Sequence, residues 1–119
     1  MTAYVDPTPQ ILRVLRPFVQ MVCSIPPDLS ENARYVLAGI FDCFAKQKVV
    51  KEGVTKDILW GFEVSGHNLT RVAYGLIDLK RTGYIKFFTP DNAEADEHCS
   101  NLQECWVRYE KKLLDLVYS

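Results

Sequence analysis

The sequence predicts a mainly α fold that closes on a small β-hairpin. Three observations lead there. Residues 33–44 and 69–79 each repeat apolar side chains at helical spacing. Tyr84-Ile85-Lys86-Phe87-Phe88 has strand composition, and Cys105-Trp106-Val107-Arg108-Tyr109 offers a partner strand. The 119 residues, 48% hydrophobic and 24% charged, suit a single core and fall outside disordered and fibrous compositions.

Thr8-Pro9 reads as a cap followed by a first-turn proline, and Ile11, Leu12, Val14, Leu15, Phe18, Val19 and Val22 follow at helical spacing. Pro17 lacks an amide hydrogen, so this helix bends or begins anew there, and Pro26-Pro27 ends it. Residues 1–27 thus form an N-terminal helical extension. Asp28 with Glu31 fits a reciprocal cap, and Ser30 competes with it. Ala33, Val36, Leu37, Ile40, Phe41 and Phe44 then make one apolar stripe. Val49 to Val54 is a short extended connector, and Thr55 caps a short helix with Ile58, Leu59 and Phe62 inward. After a turn at Glu63 to Gly66, a helix from about His67 to Thr82 buries Leu69, Val72, Ala73, Leu76 and Leu79 and stops at Gly83. Gly75 inside it costs about 1 kcal/mol of helix stability, which marks close approach of another backbone, protein or DNA. The hairpin connection, Thr89 to Glu104, is long, and such loops are usually functional or mobile. In the tail, 110–119, Leu113, Leu114 and Val117 share one helical side, with strand continuation through Leu116 as the rival.

This element order, with Gly53-Val54-Thr55 before the short helix and Leu76-x2-Leu79-x3-Gly83-x-Ile85 at the hairpin junction, resembles the winged helix-turn-helix family over residues 28–109. The resemblance implies a sequence-specific double-stranded DNA-binding protein, a small transcriptional regulator whose second paired helix enters the major groove. At about 100° per residue, His67, Thr70, Arg71, Tyr74, Asp78 and Arg81 fall on the outward side of that helix. Arg71 is the candidate for a bidentate contact to guanine, with Asn68, Thr70 and Tyr74 for bases or phosphates and Arg81 and Lys86 as further contacts. The flanking apolar residues, Ile11, Leu15, Phe18 and Val22 with Leu113, Leu114 and Val117, resemble dimerisation helices and imply a homodimer on a palindromic site.

Charge divides the chain. The formal total is -1, so nonspecific coating of nucleic acid is excluded and any contact is local. Residues 55–88 carry five basic against three acidic side chains, whereas 89–104 carry Asp91, Glu94, Asp96, Glu97 and Glu104 with no Lys or Arg. Such a loop repels phosphate. Either the wing points away from DNA, or the scaffold is a protein-protein interaction module, or the loop is plain solvated surface.

Sites for chemistry are scarce. The two histidines, His67 and His98, are too few for most catalytic constellations. His98-Cys99-x5-Cys105 matches no common closed zinc site, so no metal or cofactor is expected. There is no G-x-S-x-G or phosphate-cradling glycine run, and no enzyme is expected. The four cysteines form no C-x-x-C pair, no apolar run is long enough for a membrane span, and no secretory leader is evident. A cytoplasmic setting with free thiols follows as the expectation. Trp60 and Trp106 read as core or interface residues.

Overall fold

The computed structural model describes residues 14–46, 52–91, 93–95 and 104–119. Within them, five helices carry a small antiparallel sheet, a mixed α/β arrangement richer in strand than the expected hairpin. The helices are α1 (Phe18–Cys23), α2 (Glu31–Lys46), α3 (Thr55–Val64), α4 (Leu69–Arg81) and α5 (Lys111–Val117). The strands are β1 (Gly53–Val54), β2 (Ile85–Phe88), β3 (Glu94–Ala95) and β4 (Trp106–Tyr109), in the order β1-β4-β2-β3.

Local chemistry sets the element ends. Pro17 precedes α1, so the chain starts a helix there instead of bending one. Ser30, not Asp28, caps α2: its Oγ accepts from Ala33 N at 3.1 Å. Thr55 is already inside α3, and its hydroxyl and amide both donate to the Cys105 carbonyl at 2.8 Å. It therefore ties α3 to the start of β4 and caps nothing. Gly83 has φ +87°, the left-handed backbone that lets the chain leave α4 and enter β2.

The core lies between the helices and the inner face of the sheet. Ile85 and Phe87 of β2 and Val107 and Tyr109 of β4 alternate inward, joining Val36, Leu37, Ile40 and Phe41 of α2, Phe62 of α3, and Leu76 and Leu79 of α4. The β2–β4 pairing, which joins the two expected strand runs, sets Ile85 opposite Tyr109 and Phe88 opposite Trp106. Two further strands extend the sheet. Gly53–Val54 pairs with β4, and Glu94–Ala95, inside the acidic connection, pairs with β2.

The termini correct an expectation. The tail is helical, but Leu113 and Val117 are fully buried in the chain's own core and Leu114 packs partly against it, so none of the three forms a free dimerisation face. The N-terminal segment closes over this tail. Leu15 bridges to Tyr118, Arg16 N donates to Val117 O, and Ser119 N donates to Val14 O, each backbone bond at 2.8 Å. Val22 is partly buried against the core, Leu15 and Phe18 remain exposed, and Ile11 lies outside the described residues. So do Thr8-Pro9, Asp96, Glu97, His98 and Cys99. No helix among the described residues is long and apolar enough to cross a membrane.

Candidate functional site

The candidate surface is built on α4, and α2 decides which part of it stays open. Asn68 starts the helix: its Oδ1 accepts from Thr70 N at 3.0 Å and Arg71 N at 3.2 Å, two amides the first turn leaves without helical partners. Seven residues later stands Gly75. A Cβ there would meet Val36 and lie 2.5 Å from Asn32 O, so the backbones of α2 and α4 run in close approach, which explains the mid-helix glycine. The approaching backbone is protein.

That approach sets one flank of α4 against α2, with the Arg71 side chain still 39% exposed. Arg71 lies along α2: its Nε donates to Asn32 Oδ1 at 3.4 Å, Nη2 is 3.5 Å from Glu31 Oε1, and its guanidinium carbon sits 3.9 Å from the Tyr35 ring centroid. Asp78, two turns on, accepts from Ser30 Oγ at 2.6 Å and pairs with Arg81 Nη1 at 3.7 Å. Its carboxylate thus stands by the N-terminus of α2, where the helix dipole favours negative charge. His67 also turns inward. Its Nδ1 shares a 2.7 Å hydrogen bond with the Tyr35 hydroxyl, and its ring meets Tyr35 and Phe62 edge-on.

Three expectations are thereby corrected. His67, Arg71 and Asp78 were placed outward by helical angle alone, yet all three lean on elements packed against α4. The outward stripe that remains is Thr70, Tyr74 and Arg81, with Tyr74 58% exposed. Lys86, on β2, sits between Glu94 at 3.4 Å and Glu110 at 3.6 Å, and Glu110 first, then Glu94, raises its pKa. The acidic loop therefore answers this lysine within the molecule.

Magnitudes decide what Arg71 can do. An exposed ion pair contributes about 0–1 kcal/mol, a cation–π contact about 0.5–1, and a hydrogen bond about 0.5–1.5. Breaking all three costs about as much as the roughly 1–3 kcal/mol that a bidentate guanine contact returns. A base contact by Arg71 would therefore bring little net gain while its contacts with α2 were given up. Arg81 keeps an exposed side chain, and its pair with Asp78 at 3.7 Å is of the kind that contributes about 0–1 kcal/mol.

Ser30, Asn32 and Tyr35, which position this flank, were invisible as site residues in the sequence. The glycine in α4 signalled a close neighbour without saying which helix supplied it. Among the described residues no group of three or more His, Cys, Asp or Glu side chains could hold a metal ion. No protein-family model, curated protein or solved structure matches the chain.

Proposed function

We propose that the chain is a sequence-specific double-stranded DNA-binding protein of winged helix-turn-helix type, a small transcriptional regulator that acts by occupying its site. One observation carries the reading. Along α4 the stripe Thr70, Tyr74, Arg81 stays exposed while the opposite flank is fixed on α2, so the helix is both presented and braced. A helix of 13 residues is about 20 Å long, enough to lie along a major groove. Asn68 and Thr70 stand at its N-terminal end, where a recognition helix meets base edges. Tyr74 and Arg81 continue the contact, Lys86 reaches the backbone from β2, and Arg71 is a positioning residue.

Selection from a random duplex pool at about 0.15 M salt tests this, because weak electrostatic adhesion is suppressed there. A defined motif should emerge. Arg81→Ala should then weaken binding to it by about 1–3 kcal/mol if it bonds a base, while Arg71→Ala should lower thermal stability and change affinity far less. A pool that stays random after selection defeats the proposal. The ion pair of Glu94 with Lys86 favours a second reading, a protein-protein interaction module on the same scaffold. Saturable binding of an identified protein, together with no enriched duplex, decides for it.

A further inference from the structure

The outer face of the sheet carries a second surface, of which the DNA reading uses Lys86 alone. Phe88 and Trp106 are direct cross-strand partners, as are Lys86 and Arg108, so all four project from the side opposite the core. Trp106 is 48% exposed, and the Arg108 guanidinium lies 4.4 Å from the Phe88 ring centroid. With Glu52, Gly53 and Pro90 these rings line a groove of about 370 Å³.

Charge selects among occupants. Arg108 is stacked on Phe88 and Lys86 is paired, whereas Glu52 lines the groove, Asp91 follows Pro90, and Glu104 precedes Cys105-Trp106. Glu94 stands opposite Phe88 on the neighbouring strand. With Lys86 and Glu94 paired to each other, the described charges that remain beside these rings are Glu52, Asp91 and Glu104 against Arg108. Bases would stack on such aromatics, but their phosphates would meet that surplus of negative charge. A polyproline II segment meets the opposite conditions: its flat rings fit between aromatic side chains, its backbone is ordered before binding, and flanking cations find the carboxylates.

We propose that the groove between Phe88, Pro90 and Trp106 binds a proline-rich peptide flanked by basic residues. It does not depend on the DNA reading, since α4 contributes no residue to it. The test is a titration of the full chain carrying Trp60→Phe, which leaves Trp106 as its one tryptophan, with an arginine-flanked polyproline peptide. Saturable change in tryptophan emission is expected. In anisotropy with the labelled peptide, Trp106→Ala should weaken binding by about three- to tenfold, the loss of one ring contact. A glutamate-flanked polyproline and an arginine-flanked glycine–serine peptide should each bind more weakly still. Circular dichroism verifies that the Trp106→Ala chain is folded, and Phe88→Leu provides a second, milder variant with a loss in the same direction. Absence of a saturable signal, equal binding of either control peptide, or preferential binding of oligothymidine overturns the proposal.

Discussion

Gly75 shows how one residue can fix the spacing of two helices. Replacing it with alanine would gain about 1 kcal/mol of helix propensity. The added methyl, however, lands on the Asn32 carbonyl and Val36, and overpacking against a backbone costs about 1–3 kcal/mol. The clash wins, so Gly75→Ala should lower the unfolding free energy by up to about 2 kcal/mol in urea titration. Tyr109 poses a different question, one of pH. Burial raises its pKa most, with further contributions from Cys43 and Glu52. An unfolded tyrosine ionises near pH ~10, where the folded one keeps its proton. The unfolded state then holds fewer protons, so stability is complete below about pH 10 and falls as pH rises above it. Tyr109→Phe should flatten that alkaline fall, as urea midpoints at about pH 8 and about pH 11 would show. Tyr84 and Lys86, also raised, leave a residual slope in the same direction.

At the scale of elements, α5 carries the sharpest distinction between a stripe and its use. Leu113 and Val117 have no exposed surface, and Lys112 Nζ donates to the Thr82 carbonyl, which fastens the helix to the end of α4. Leu113→Ala should cost about 2–5 kcal/mol, the range for emptying a buried leucine site. Because the site lies within one chain, that loss should not vary with protein concentration, whereas an interface leucine would make it vary. The same contrast shows what the sequence could reveal. The apolar periods of α2 and α4, the stop at Gly83 and the partnership of β2 with β4 were legible, since each shows as a local pattern of spacing, composition or backbone freedom. The strands β1 and β3, two residues each, carry no period to read, so β1 was legible only as the end of the extended connector and β3 not at all. The apolar side of α5 was legible as well, but a stripe looks alike whether it meets its own core or another molecule. The candidate site failed in the same manner. A helical wheel separated Leu76 from Tyr74 correctly, yet it could not know that α2 lies beside Arg71 and Asp78 and that α3 lies beside His67.

For the whole molecule the open question is how a chain with a formal charge of -1 would hold a duplex firmly. One weakly basic helix makes few phosphate contacts, and two copies across a two-fold axis double them. The tail no longer supplies such an interface. What remains is the N-terminal segment, whose backbone is tied to Val117 and Tyr118 and which presents Val14, Phe18 and Val19 outward, Val19 being 70% exposed. A dimer built on this patch predicts that the wild-type chain sediments as two copies at micromolar concentration and that Val19→Asp sediments as one. The substitution sits far out on the surface, so the monomer should unfold at an unchanged temperature. Its affinity for a full palindrome should fall toward that for a single half-site, because the second contact is no longer linked to the first. Wild-type chains that remain single at every concentration, or a Val19→Asp dimer of unchanged mass, would remove the patch as the dimer contact and with it this route to firm binding.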